Sequence, residues 1–398
     1  MIRVSNREDR ANSLLAPEMA NTTEKEAYDE AKSALQCYSL SQSLQSLPLR
    51  YYFLLNVFDL EPFELHMSTF HATDNTYESF FTKYALLCKL AANKDREVEK
   101  VTHWHLIEII ALLKDRGSTR EEVAAIVMQD PVIANSESLA RTLVDLAAGL
   151  WLMLSISNYP GDISYDEPIF WTDHQKLTEE QSELNQGLIN ETFSPHYNST
   201  DLVKLPQAFT AAHLEQIGGI KVIWTSNLAD HLLLRDDDTK LMLFHQVSIL
   251  QLHSKSPTIL LPKDLVDETI RSISLLIPPV LGEPNRWFQQ QRKENLIDAQ
   301  AGVCDRLNSS KRQIENFVYW RDRLVLLKRT FDDAEPRNIS QLWWDDRKKT
   351  QWFTFWVAVL VFFMTVFFGV LQSVAGIVQA WASVQSLKAQ KSQGQGSA

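Results

Sequence analysis

The sequence predicts a mainly α protein with a minor β element: two helix-rich lobes followed by one C-terminal transmembrane helix. Three observations carry that expectation. Glycine and proline are sparse, 12 and 14 in 398 residues, while 45% of the residues are hydrophobic, a composition suited to a compact helical body. Apolar residues recur at helical spacing in several segments. Finally, Trp352 to Leu371 reads WFTFWVAVLVFFMTVFFGVL, twenty residues of which only Thr354 and Thr365 are polar. At a rise of 1.5 Å per residue, such a run covers about 30 Å, the thickness of a bilayer's hydrocarbon core.

Residues 1–22 are polar and aperiodic and are expected to be disordered. An N-terminal helical lobe is expected over 23–157. Thr23 to Leu47 reads as a polar helix with Ala27, Ala31, Leu35 and Tyr38 on one side. Leu49 to Met67 is apolar and aromatic, and its period decides nothing. Asn75 to Lys94 predicts an amphipathic helix whose buried stripe is Phe80, Tyr84, Leu87, Cys88 and Leu90. His103 to Arg116 is helical and is stopped by Gly117. Ser118 and Glu121 read as an S-x-x-E capping box opening a helix to about Met128. Asp130-Pro131 breaks it, and a third helix runs from about Ser136 to Leu154. Three helices with a short turn could form a helix-turn-helix. The third, however, carries one basic residue, Arg141, and DNA reading needs basic faces on the phosphates. Plain helix packing is the expectation.

Residues 158–206 are polar and contain Pro160-Gly161, Pro168 and Pro195, which reads as a long connection between lobes. The second lobe is expected over 207–346. Ile220 to Trp224 is β-branched and short, a strand. Thr225 or Ser226 can cap a short helix, NLADHLLL. Asp236, Asp237 and Asp238 make a turn, and Lys240 to Phe244 is a second strand. Pro262 to Leu276 is a helix with proline at its start. Ser310 to Phe331 reads as a long helix in which Phe317, Trp320, Leu324, Leu327 and Phe331 are spaced 3, 4, 3, 4. That is an a/d seam, expected to pack into the lobe's own core.

The end of the chain carries the strongest signal. Trp343, Trp344, Trp352 and Trp356 crowd the entry to the apolar run and Trp381 sits near its exit, as amphipathic rings do at headgroup level. Arg347, Lys348 and Lys349 precede the run, while Lys388 and Lys391 follow it. Three basic residues against two place the N-terminal side in the cytosol. The collar and span are assigned to 347–387 and a short polar tail to 388–398. The N-terminus has no apolar stretch of signal-peptide length. Three widely spaced cysteines, Cys37, Cys88 and Cys304, suit a reducing compartment. The expectation is a tail-anchored, single-pass protein with a cytosolic body and the lipid bilayer as its partner. Sequons begin at Asn21, Asn190, Asn198, Asn308 and Asn338, and matter only if the body is lumenal. In that case Asn190 and Asn198, in the polar connection, are the expected acceptors. Gly369 with Ser373 and Gly376 with Ala380 are small pairs four apart, a face on which a homo-oligomer could pack in lipid.

Charge excludes one class of partner. Of 39 basic and 50 acidic residues, five basic and no acidic ones follow Asp346, so the body before it carries a net charge of −16. Such a body is repelled by nucleic acid. The densest titratable cluster is Asp230, His231, Asp236 to Asp238, His245 and His253. Metal binding would need imidazole and carboxylate groups converging on one point. Asp230 and His231 are adjacent and would diverge by about 100° on a helix, and the triplet lacks the spacing of a calcium loop. Asp230, His231 and His245 remain the candidate catalytic residues, against the simpler reading of a solvated turn with capping or core histidines. His103 and His105 form an H-x-H pair that a helix would splay. No zincin, nucleophile-elbow, P-loop or dinucleotide motif occurs, and no cofactor or metal is predicted.

The runs IKVIWTSNLADHLLLRDDDTKLMLFHQVSIL and QIENFVYWRDRLVLLKRTFDDAEPRNISQLWWDDRKKTQWFTFWVAVLVFFMTVFFGVLQSVAG carry a resemblance. They resemble a large family of uncharacterised filamentous-fungal membrane proteins sharing W-T-x-N-L-x-D-H-L, a D-E/D-A-x-P segment before a Trp-rich collar, and a W-[YF]-T-F-W-V-A-V-L-V helix. The match covers roughly residues 215 to 385, and 80 to 155 loosely. The resemblance implies origin and architecture and carries no activity. Some members lie beside biosynthetic genes. The expected function is that of a membrane-tethered, non-catalytic interaction or accessory protein with an unidentified protein partner. The alternatives are an accessory enzyme of membrane-associated, secondary metabolism and, more weakly, a membrane-held DNA-binding regulator.

Overall fold

The computed structural model describes residues 22–62, 65, 76–115, 117–134, 136–156, 168–179, 187–195, 203–279, 283–334 and 349–394. The expected disorder of 1–22 lies outside this set except for Thr22. The chain forms two compact units, Met1–Asp333 and Ala334–Ala398. Among the described residues there are thirteen α-helices and one three-stranded sheet, a mainly α fold with a minor β element.

The first unit opens with α1 (Thr22–Cys37), α2 (Leu47–Phe58), α3 (Glu78–Lys94), α4 (His103–Leu113), α5 (Arg120–Val127) and α6 (Glu137–Leu152). Helix α2 falls within the segment whose period was undecided, and its burial explains why. Leu49 and Tyr51 to Phe58 are all buried, so no polar face exists to set a period. It ends at Asp59 in the left-handed region, φ 49°. Helix α4 packs against α1, α2 and α6, and the last of these is covered almost all round, with twelve of sixteen residues buried. The predicted capping box is present but displaced by one residue. Thr119 accepts from the Glu122 N–H at 3.3 Å and Glu122 accepts from the Thr119 N–H at 2.9 Å, so Ser118 and Glu121 are not the pair. Extended backbone at Thr119 (φ −82°, ψ 165°) makes it the first non-helical residue, which is what an N-cap requires.

Next come the short helices α7 (Leu188–Thr192) and α8 (Ala211–Gln216), then β1 (Lys221–Thr225), β2 (Leu234–Arg235) and β3 (Lys240–Phe244). The strand order is β1-β3-β2. β1 runs parallel to β3 with Lys221 opposite Lys240 and Thr225 opposite Phe244, and β2 is antiparallel with Leu234 opposite Leu241. NLADHLLL is not an α-helix. Only Leu228–Asp230 coil, as one 3₁₀ turn capped by Asn227, because Leu232 and Leu233 exchange backbone hydrogen bonds with Met242 at 2.9 and 2.8 Å. The sheet takes the residues a helix would have needed. Helices α9 (Val247–Lys255), α10 (Lys263–Leu276), α11 (Glu283–Glu294) and α12 (Arg321–Asp333) complete the unit.

The helix expected from Ser310 starts only at Arg321. Buried Glu268 of α10 accepts the N–H groups of Val318 and Trp320, each at 2.7 Å, and Phe317 is extended (φ −111°, ψ 125°). A carboxylate that captures these donors removes them from any helical ladder. Phe317, Trp320, Leu324, Leu327 and Phe331 are nonetheless all buried in the unit's own core.

The two expected lobes share that core. Leu228 N–H donates to the Met153 carbonyl at 2.8 Å, Ser155 N–H to Asn227 Oδ1 at 3.2 Å, and His253 Nε2 to the Trp151 carbonyl at 2.7 Å. The described part of the connection is also anchored. Asp173 pairs with both Arg120 and Arg141, and Arg120 grips buried Asp145 bidentately at 2.8 and 2.7 Å. Helix α6, with twelve of its sixteen residues buried, has to be covered from more than one side, so residues on either side of 158–206 belong to one compact unit.

The second unit contains α13 (Lys349–Gly394), a single 46-residue helix. Within its stretch Phe353–Lys388 the most apolar 18-residue window has a mean hydropathy of 2.4, and none of that window is buried. Thr365 and Ser373 turn their hydroxyls onto the carbonyls of Val361 and Gly369, both at 2.8 Å, so the helix satisfies these polar groups internally.

Candidate functional site

The motif from Trp224 to Leu232 forms the corner where β1 leaves the sheet. Its asparagine organises it. Fully buried Asn227 accepts from Ser155 N–H and Ala229 N–H through Oδ1, and donates through Nδ2 to Asp230 Oδ2 at 3.0 Å. Asp230 also faces Arg235 at 3.4 Å. Arg323 of α12 donates to the carbonyls of Ala229 and His231 at 2.7 and 2.6 Å and lies in the field of Asp230. The motif is thus a lock between β1, α6 and α12.

His231 points elsewhere. The Phe244 N–H donates to Nδ1 at 3.3 Å, so Nε2 carries the proton and donates to Ser272 Oγ at 2.7 Å. That hydroxyl donates in turn to the Thr269 carbonyl at 2.7 Å. The Trp320 ring stands edge-on at 4.9 Å. Burial, with the Arg323 charge adding to it, holds the imidazole well below its usual pKa. Both ring nitrogens are committed to the fold, and no substrate can reach them.

His245 occupies a third environment. Its Nδ1 accepts the Asp298 N–H at 3.3 Å, and Nε2 stands 3.4 Å from Ser226 Oγ. Burial, helped by Lys83, pushes it down to about 3. The Asp298 carboxylate turns away, accepting the Ser248 and Gln300 N–H groups at 2.6 and 2.9 Å, and burial raises it to about 6. His245 therefore contacts this residue's backbone and not its carboxylate, and the pair is no acid–base dyad. Asp236, Asp237 and Asp238 form a left-handed turn (φ 53°, 53° and 61°), with Asp236 paired to Lys240 at 2.5 Å. The three sequence candidates Asp230, His231 and His245 are near in sequence but face three different networks. Among the described residues, no group of three or more His, Cys, Asp or Glu is placed to hold a metal.

The H-x-H pair splays as expected. His103 bonds Tyr84 Oη at 2.5 Å and the Gln42 carbonyl at 2.8 Å, whereas His105 caps α4 through Thr102. On α6, Arg141 is engaged by Glu137 and Asp173, so it offers no free charge to a phosphate.

The residues expected at a membrane interface fall partly outside the described set, which excludes Trp343, Trp344, Arg347 and Lys348. Lys349 and Trp352 lie in the first turns of α13, Trp356 one turn later, and exposed Trp381 near its far end. At Gly369 and Gly376 an added Cβ would meet nothing within 4 Å, so the face they share with Ser373 and Ala380 is open. Asn21, Asn198 and Asn338 lie outside the described residues. Asn190 is half-buried on α7 with its Nδ2 directed at the Glu179 carbonyl, 3.5 Å away. Asn308 is exposed, and its Oδ1 caps a turn by accepting from Lys311 N–H at 3.0 Å. Of the two described sequons, Asn308 is therefore the more accessible.

Sequence reasoning missed Glu268, Ser272, Asp298 and Arg323, which hold these networks together. None belongs to a motif, and each gains its partner only through tertiary packing. Together the geometry defines a class: a helical body whose motif residues are structural, carried on a chain with a long apolar helix. Compared with family models, curated proteins and solved structures, the chain matches none.

Proposed function

We propose that this is a single-pass, tail-anchored membrane protein whose body faces the cytosol and acts as a non-catalytic interaction or accessory protein, in keeping with its resemblance to fungal membrane proteins. The observation that carries the reading is α13. Eighteen large apolar side chains between Phe353 and Leu387 are exposed. At about 1.5 kcal/mol each, leaving them in water would cost on the order of 25 kcal/mol. That exceeds the whole stability of a typical domain, ~5–15 kcal/mol, so the helix needs lipid or a partner around it. The structural roles of Asn227, Asp230 and His231 favour an interaction role over catalysis.

The test has two arms. Deleting Trp352 onward should move the body from carbonate-washed membranes to the soluble fraction. A truncated chain that stays with the membrane defeats the anchor. Protease added to intact organelles should digest the body and leave the sequons bare. A glycosidase-sensitive mass shift, Asn308 being its first acceptor, would put the body on the lumenal side.

A further inference from the structure

One surface cleft in the described body brings unpaired positive charges together. Pro206, Gln207, Ser274, Leu275, Pro278, Arg306, Leu307 and Arg312 surround a surface cleft of ≈ 290 Å³, counted to its open mouth. The room it leaves for the centres of water-sized groups is ≈ 20 Å³, enough for one or two waters at roughly 10–15 Å³ each. It suits a small group and not a whole metabolite.

Two arginines line it in a body of net charge −16. Neither side chain has a hydrogen-bond or ion-pair partner among the described residues, and Arg312 Nε is buried and unsatisfied. An orphaned guanidinium N–H is costly, on the order of 1–3 kcal/mol or more for a charged group, and an incoming acceptor would recover that cost.

The frame around these arginines is fixed. The segment before the cleft pairs with the segment after it, through Leu205 N–H to the Arg312 carbonyl at 3.2 Å and Ile314 N–H to the Val203 carbonyl at 3.3 Å. Ser274 donates to the Asp305 carbonyl. Asn308 caps Lys311, and Asn316 Nδ2 holds the Ser310 carbonyl at 2.8 Å. The loop is tied at both ends and in the middle, while the two charges it presents are left open. That arrangement is preorganised for a ligand.

We infer that this cleft binds a phosphoryl oxyanion, with Arg306 and Arg312 as its two guanidinium contacts and Gln207 as a neutral donor. Planar guanidinium forks match phosphate oxygens in pairs. The carbonyl end of α10 at Ser274 and Leu275 opposes an anion, but its partial charge is about half an electron, and two full charges outweigh it. The phosphoryl group can belong to a soluble phosphate monoester or to a lipid headgroup, and the test separates them.

Full-length protein in phosphatidylcholine nanodiscs is titrated with inorganic phosphate by calorimetry. Arg312→Gln and Arg306→Gln should each weaken binding about tenfold or more, as loss of one charge-assisted contact does. Neither guanidinium bonds a described residue, so melting temperatures should stay within a few degrees, and Arg312→Lys should restore part of the affinity. The titration is repeated in nanodiscs containing phosphatidic acid. Loss of the phosphate signal there assigns the site to headgroups, and an unchanged signal assigns it to soluble monoesters. Absence of phosphate binding in the wild type, or equal binding by wild type and both glutamine variants, overturns the inference and leaves the arginines as counter-charges to the α10 terminus.

Discussion

Buried histidines decide how this protein responds to acid. His103 and His253 are pushed down to about 4 and His245 to about 3, in each case chiefly by burial, and burial also holds His231 well below its usual value. Their folded pKa values lie below the unfolded value of about 6.5, so they contribute stability above pH 6.5 that is lost as pH falls. Asp298 works in the opposite sense. Its folded value of about 6 lies above the unfolded value of about 3.9, so its contribution is full at low pH and is lost as pH rises through 6. Buried Asp145 and Glu268 are raised in the same sense as Asp298, so four histidines oppose three carboxyls, and the histidines outnumber them. Tryptophan fluorescence should report unfolding on acidification well before pH 4, and Asp298→Asn should steepen the loss between pH 6 and 4. A flat profile over that range would refute the assignment. Little of this was legible in the sequence. The cluster of Asp230, His231 and His245 was visible, but its three separate networks depend on Ser272, Asp298 and Arg323, which lie 41 to 92 residues away.

At the level of elements, periodicity served where one face was solvated and failed where none was. Helices α3, α4 and α10 follow their apolar stripes, whereas the all-round burial of α2 erased its signal. The seam from Phe317 to Phe331 shows a different failure. Its spacing named five core residues correctly, yet Glu268 unwinds the first two, so the right burial came with the wrong backbone. The displaced capping box gives a clean discrimination. Thr119→Ala should lower stability by about 1 kcal/mol, while Ser118→Ala should stay within ~0.5 kcal/mol, as measured by denaturant midpoints of the full chain in detergent. The reverse order would return the cap to Ser118.

For the whole molecule, the polar segment over 158–206 suggested a long connection between lobes, but the shared core joins what it separates. Met153, Ser155 and Trp151 on one side bond Leu228, Asn227 and His253 on the other. Such cross-links bind cooperativity together. Denaturant unfolding of the body should therefore show one transition by both circular dichroism and tryptophan fluorescence. Two separated transitions, or an independently folded 23–157 fragment, would restore the two-lobe picture. The reason the sequence misled is local: composition reports solvation of the connection, while the contacts that fuse the halves are made by residues on either side of it.

The length of α13 has a mechanical consequence. Its apolar stretch covers 36 residues, about 54 Å of helix, against a hydrocarbon slab of about 30 Å. A typical tilt of ~20° absorbs only a few ångströms of that excess. In the proposed setting, the glutamine- and serine-bearing half beyond Leu371 leaves the hydrocarbon for the headgroup layer, where Trp381 is expected, as a stiff, unbroken stalk whose exposed Val374, Ile377, Val378, Val384 and Leu387 still need lipid or a partner against them. Anything gripping that half is held a stand-off distance of roughly two nanometres from the oily layer, a spacing set by backbone geometry.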